Sequence, residues 1–453
     1  MFCIFLFSIL HPKSKSNHLK LFLMNPQAGE LNKIIQEKNN VVFELLSERG
    51  KEIYFPKKGI LAQSAEAGKA SINATIGTAV EDDGTPMRLE SIASKVDLKP
   101  DKIFLYAPSY GRPDIRAEWK KMIYRKNPSM AGAEISLPVV TSALTHGISM
   151  AGYLFCDPTD QVIVPDLFWE NYTLTLTNAY GSELKPYKLF KNDGLDLEAF
   201  EITLNEGAVG KRIVLLNFPN NPAGYTPTQV EQDEMIRIIK ASAEKGNKIV
   251  LLIDDAYFGL GYEAGIAAES IFAALCTLHD NVLAVKIDGP TKEDYVWGFR
   301  VGFLTYGIKG GDAALYGALE SKSAGAIRGN ISNAANISQS LLMEAYTHPE
   351  YENQKAEKYA IMKARYEAVK SVLKNEAYKP YFKALPYNSG YFMCIELAEG
   401  LEGEVVRKLL IEKYSIGVIA FDNLLRIAFS AVAESKIQPL FEGIYEACKE
   451  MKG

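Results

Sequence analysis

Cysteine and histidine are scarce in this chain of 453 residues, with five of each. The cysteines (Cys3, Cys156, Cys276, Cys394 and Cys448) are odd in number and never spaced as C-x-x-C. That argues against a disulfide framework or a structural zinc site and for a reducing compartment, so a cytoplasmic location is expected. No histidine pair reads H-E-x-x-H, and no metal site is expected. Basic residues are not in excess: 50 Lys and Arg face 55 Asp and Glu, a net charge of −5. Nothing in that balance calls for nucleic acid. The apolar run MFCIFLFSIL falls short of the roughly 20 residues that a spanning helix needs. Its positive charges, Lys13, Lys15 and Lys20, follow it instead of preceding it, the reverse of a signal peptide. Residues 1–23 are read as an upstream extension with Met24 as an alternative start, and no membrane association is expected.

Short β-branched runs punctuate the middle of the chain: LPVV at 137–140, QVIV at 161–164, RIVLL at 212–216, KIVLLI at 248–253 and VLAVKI at 282–287. Helical stretches lie between them, notably 144–156 and 227–245, the second with Thr226 and Pro227 as cap and first-turn residue. Near-continuous apolar strands alternating with helices describe an α/β fold with a mostly parallel sheet covered on both faces. The texture changes near residue 320. Residues 330–376 read as a helical region broken at His348-Pro349, followed by strand-like pieces at 390–397 and 424–431, an α+β unit. A large domain of 80–320 and a small one from 24–79 plus 321–453 are expected.

Parallel sheets bind ligands at the carboxyl ends of their strands, so the residues after each run carry the functional reading. After RIVLL comes NFPNNPAG at 217–224, after KIVLLI comes DDAY at 254–257, and after VLAVKI comes DGPTK, ending at Lys292. Eight residues later GFRVG carries Arg300. Singly these are a turn, a loop and a surface lysine; at successive strand ends they form one candidate site.

Together with Y-A-P-S-Y-G at 106–111, these ordered motifs resemble a class I aminotransferase, a fold-type I pyridoxal-phosphate enzyme, of the aspartate and aromatic branch. The resemblance covers roughly residues 72–430. It implies pyridoxal 5′-phosphate as cofactor, with Lys292 holding it as an imine and shuttling the α-proton. Asp254 matches the partner of the protonated ring nitrogen. Asp255 is the neighbour that strand alternation turns away. Asn221 and Tyr257 match the pair that bonds the ring's phenolic oxygen, and Trp169 the aromatic that stacks on the ring. By the same resemblance the phosphate lies on Ala143, Leu144 and Thr145, where a strand runs into a helix, with Arg300 as a charged contact. Tyr106 matches a tyrosine that reaches the phosphate of a neighbouring subunit, which implies a homodimer with shared sites. Two departures stand out. Gly289 occupies the usual serine position three residues before the lysine, and Ala143 and Leu144 replace a glycine-rich cup.

On the substrate side the resemblance assigns Arg426, in LLRIAFS, to the α-carboxylate of an amino acid or 2-oxoacid, with Gly77 lining the same pocket. AIRGNISNA at 326–334 places Arg328 and Ser332 where the family binds a distal carboxylate across the dimer, although Ala334 and Ala335 stand where prolines usually follow. A helix-surface arginine is the other reading of Arg328. The function expected is amino-group transfer between aspartate, or another dicarboxylic or aromatic amino acid, and a 2-oxoacid such as 2-oxoglutarate. A carbon–sulfur lyase shares the same cofactor constellation and is the alternative. A ligand-sensing regulator is a remoter one, since the segment before residue 72 shows no helix-turn-helix.

Overall fold

Alternating apolar strands and helices assemble into a seven-stranded sheet in the computed structural model, which describes residues 25–38, 43, 46, 51, 60–95 and 98–452. The expectations for residues 1–23 and Met24 lie outside the described residues. Residues 1–55 and 56–453 are separate units. The first contributes the helix Pro26–Lys38, and both main sheets belong to the second.

The large sheet comprises β1 (Val139–Thr141), β2 (Gln161–Pro165), β3 (Glu183–Tyr187), β4 (Lys211–Asn217), β5 (Lys248–Asp254), β6 (Val282–Asp288) and β7 (Gly302–Gly307). Its order is β3-β2-β4-β5-β6-β7-β1, parallel except for β7, which runs antiparallel to both β6 and β1. Each central strand feeds two cores, because successive side chains point to opposite faces. Ile213 and Leu215 enter one buried cluster while Val214 and Leu216 enter the other. Burial on both faces is why these strands read as unbroken apolar runs.

Helix α1 (Ala143–Phe155) springs directly from β1, and α2 (Gln229–Glu244) is the crossover between β4 and β5. The cap of α2 is Thr228, not Thr226 with Pro227 as expected. The Thr228 hydroxyl accepts from the Glu231 N–H while the Glu231 carboxylate accepts from the Thr228 N–H. This reciprocal pair satisfies two orphan donors, which a Pro227 start would not. The long helical region is three helices, α3 (Ala313–Asn330), α4 (Asn336–Tyr346) and α5 (Tyr351–Val372), and it opens earlier than its sequence texture announced.

A second, antiparallel sheet holds β8 (Phe382–Ala384), β9 (Met393–Leu397), β10 (Ile419–Phe421) and β11 (Leu424–Ile427) in the order β8-β9-β11-β10. The strand expected at 390–397 starts only at Met393, because Gly390 takes a positive φ of 72°. That expected at 424–431 stops at Ile427, before the tight turn Phe429–Ala431.

Candidate active site

Register in the large sheet brings the chemistry to one edge. Asn217 closes β4 directly opposite Asp254, the last residue of β5, and Lys292 follows four residues after β6 ends at Asp288. A cavity of about 320 Å³ opens at these carboxyl ends. It is lined by Gly77, Ala143, Leu144, Thr145, Trp169, Asn221, Asp254, Tyr257, Lys292, Arg300 and Arg426, all singled out from the sequence. Asn217, Ala256, Thr291 and Phe392 complete the wall.

Tyr106, Arg328 and Ser332 lie elsewhere, exposed on the surface. Tyr106 is 90% exposed, beside the exposed Phe104 and Leu105. Two hydrogen bonds join its motif to the Arg328 segment: Ser109 Oγ donates to the Ser332 carbonyl at 2.8 Å, and Tyr110 donates to Ser321 Oγ at 2.9 Å.

One end of the cavity is built to receive an anion. Ser142, φ −79°, uses its own N–H on His146 Nδ1 at 3.0 Å, and Ala143, φ +63°, turns the chain into the first turn of α1. The first N–H groups of α1 have no partner within the helix, and its dipole favours negative charge there. A left-handed alanine is strained by about 1–2 kcal/mol, so the cup keeps the geometry that glycine would adopt freely. Arg300 flanks it, 53° in φ, and among the described residues donates only a long bond of 3.4 Å to the Trp297 carbonyl. Gly289 is glycine for a steric reason. A Cβ there would lie 2.9 Å from the Val301 carbonyl oxygen and 3.0 Å from Gly302 Cα. Thr291, two residues on, buries a hydroxyl that has no partner among the described residues.

The opposite end carries Arg426, 2% exposed. Its Nη2 donates to the Thr75 carbonyl at 3.0 Å and its Nη1 to Asn221 Oδ1 at 3.3 Å, while Nε is buried without a partner among the described residues. The Phe392 ring lies 4.3 Å from the guanidinium carbon. Asn221 is held in turn by its N–H donating to Asn217 Oδ1 at 2.8 Å.

Lys292 lies between these ends, its Nζ donating to the Gly77 carbonyl at 3.1 Å. A side chain at position 77 would begin 3.0 Å from the Phe392 ring and 3.8 Å from Nζ, so glycine keeps the amine accessible. Burial, then Arg300 and Arg426, push the Lys292 amine down to about 8, with Asp254 pulling the other way. Asp254 is pushed up to about 6 by burial, opposed chiefly by a bond from Tyr172. Burial likewise lowers Arg300 and Arg426. Three cations thus face one carboxylate, and neither arginine has an acidic partner in an ion pair among the described residues.

Asp255 points away, as alternation requires. It pairs with the buried Lys286 and accepts from Ser270 at 2.6 Å, and Lys286 also reaches Asp288 at 3.5 Å. This buried triad ties the ends of β5 and β6 together behind the site.

These residues fit pyridoxal phosphate. The first turn of α1 and Arg300 suit the phosphate, Lys292 is an amine with a value lowered to about 8, and the Asp254 carboxylate lines the cavity. Trp169 offers a half-buried ring at its side. Tyr172, Thr291 and Phe392 were not anticipated from the sequence. Among the described residues no cluster of His, Cys, Asp and Glu could hold a metal, and no helix is long and apolar enough to cross a membrane.

Residues 75–444 match the family Aminotransferase class I and II. The chain is 26% identical to the mitochondrial aspartate aminotransferase of Schizosaccharomyces pombe over 314 residues, 67% of this chain and 68% of that protein. Among solved structures it is similar to an aminotransferase from Anaerococcus prevotii, with 24% identity and a TM-score of 0.78 over 89% of this chain and 98% of that one. It is also similar in fold to a kynurenine aminotransferase from Pyrococcus horikoshii, with 17% identity and a TM-score of 0.74 over 91% of this chain and 99% of that one.

Proposed function

Since the chain belongs to the class I and II aminotransferase family, as an enzyme of the pyridoxal-phosphate fold type I, we propose that it transfers an α-amino group between an amino acid and a 2-oxoacid. The observation that carries this reading is the cavity's charge: Lys292, Arg300 and Arg426 gathered around Asp254 alone. A buried cation left without its anion is costly. The site is therefore arranged for ligands that bring a phosphate to one end and a carboxylate to the other.

Pyridoxal phosphate, when bound, supplies the electron sink that makes an amino acid's α-proton removable. The chain's residues do the rest. Ala143, Leu144, Thr145 and Arg300 hold the phosphate; Asp254 holds a proton at the ring nitrogen; Asn221 and Tyr257 bond the phenolic oxygen; Trp169 covers the ring. Arg426 takes the α-carboxylate in a two-pronged grip, with Asn221 fixing the angle of the guanidinium. That grip sets the α-carbon before Lys292, whose amine near 8 is poised to take and return a proton close to neutral pH.

The reading extends to a cytoplasmic homodimer in which a small domain, 24–79 plus 321–453, works against a large one, 80–320. What supports the dimer is the exposure of Phe104, Leu105 and Tyr106, just before Ser109, which bonds the Ser332 carbonyl, a surface that a second copy would cover. Arg328 then reaches the partner's pocket, and the donor is aspartate, glutamate or an aromatic amino acid. A donor screen with 2-oxoglutarate tests the function. Glutamate formation with a matching oxoacid is expected; release of pyruvate and ammonia without an acceptor would replace transfer by carbon–sulfur cleavage.

A further inference from the structure

We propose that Tyr172 is a positioning residue for Asp254, whose hydroxyl fixes the carboxylate so that a bound pyridine ring keeps its proton. The proposal rests on the reading that this pocket takes pyridoxal phosphate.

Tyr172 is fully buried, and its hydroxyl donates to Asp254 Oδ2 at 2.6 Å across 82 residues of sequence. Its ring is clamped by Phe168, stacked at 6.3 Å, and by Trp169, edge-on at 5.7 Å. It also sits at the mouth of a π-helical turn, Thr173–Asn178, an irregularity that recurs at functional sites. The same residue therefore buttresses both the side wall and the acid of the pocket.

The second oxygen of Asp254, Oδ1, accepts from the Ala256 N–H at 3.2 Å. With one donor on each oxygen the carboxylate cannot rotate, and each oxygen keeps a lone pair. Tyr172, Tyr257 and Lys292 are the titratable groups that face it, and Asp255 acts on it from behind the sheet. Burial and Asp255 push a proton onto Asp254, whereas Tyr172, the Ala256 N–H and Lys292 hold it off. Lys292 changes charge near 8, so its help varies with pH. Tyr172 does not, since burial and Asp254 drive its phenol far above the ordinary tyrosine value. It keeps its proton and so remains available as a donor. Removing it moves a shared proton from the ring nitrogen toward the carboxylate.

The test loads the full-length protein with pyridoxal 5′-phosphate labelled with nitrogen-15 in the ring and compares the parent, Tyr172→Phe, Asp254→Asn and the double variant. Phenylalanine keeps the packing ring. The expected result is a ring-nitrogen shift displaced toward the unprotonated position in Tyr172→Phe, with cofactor Kd raised about tenfold, the weight of one hydrogen bond to a charged group. In the Asp254→Asn background, losing the hydroxyl should change neither readout. An unchanged ring-nitrogen signal in Tyr172→Phe, or an equal loss of affinity with and without Asp254, would overturn the proposal. If the parent itself takes up no pyridoxal phosphate, it is the reading of the pocket that fails, and this proposal falls with it.

Discussion

Replacing Lys292 with methionine in the cofactor-free protein should stabilise it at neutral pH, although the substitution abolishes the reactive amine. The side chain is partly buried beside two arginines, and its amine is pushed from 10.5 down to about 8. A folded value below the unfolded one means that the charged form is disfavoured by folding. The penalty is complete below about 8 and fades as pH rises toward 10.5. At about 1.4 kcal/mol for each tenfold change in proton affinity, it amounts to about 3 kcal/mol. Methionine forfeits the bond to the Gly77 carbonyl, about 1 kcal/mol. The variant should therefore be more stable by about 2 kcal/mol at neutral pH, and the advantage should vanish in alkaline buffer. Urea unfolding at a series of pH values measures this as a difference in midpoint. A parent as stable as the variant at neutral pH would refute the reasoning, as would a gap that does not narrow above about pH 8.

Three other outcomes are expected. Arg426→Gln should lower kcat/KM for every amino donor by about a hundredfold, in line with roughly 3 kcal/mol for breaking a buried charge pair, and steady-state kinetics on several donors checks this. Arg328→Ala should lower kcat/KM for aspartate far more than for phenylalanine; equal losses would remove Arg328 from the distal-carboxylate role. Lys286→Met should destabilise the fold by about 3–5 kcal/mol, because Asp255 and Asp288 would remain buried with no cation between them; chemical denaturation reads this directly.

Lys292 and Asp254 were legible because each follows an apolar run that reads as a buried strand, and a parallel sheet presents its strand ends on one side; Arg300 was legible through its GFRVG motif. The family resemblance picked out Asp254, strand alternation turned its twin away, and Asp255 does pair with Lys286 behind the sheet. Tyr172 was not legible. In PDLFWENY it reads as another packed aromatic, and its role depends on an acid 82 residues away. Gly302–Gly307 escaped notice as a strand because it starts on the last residue of the GFRVG motif and runs against its neighbours. Glu183–Tyr187 escaped because an edge strand containing proline and charged residues lacks the apolar signature of the centre. The start of α2 was misplaced by two residues because two threonines flank Pro227, and only the reach of Glu231 chooses between them.

The central claim, that Lys292 is the amine that holds the cofactor, is tested most directly by trapping. The protein is incubated with pyridoxal 5′-phosphate, reduced with borohydride, digested and mapped by mass spectrometry. The account predicts a single phosphopyridoxyl group on the peptide containing Lys292, absent from Lys292→Ala. Label on Lys286 or any other lysine, or no stable label at all, would contradict it.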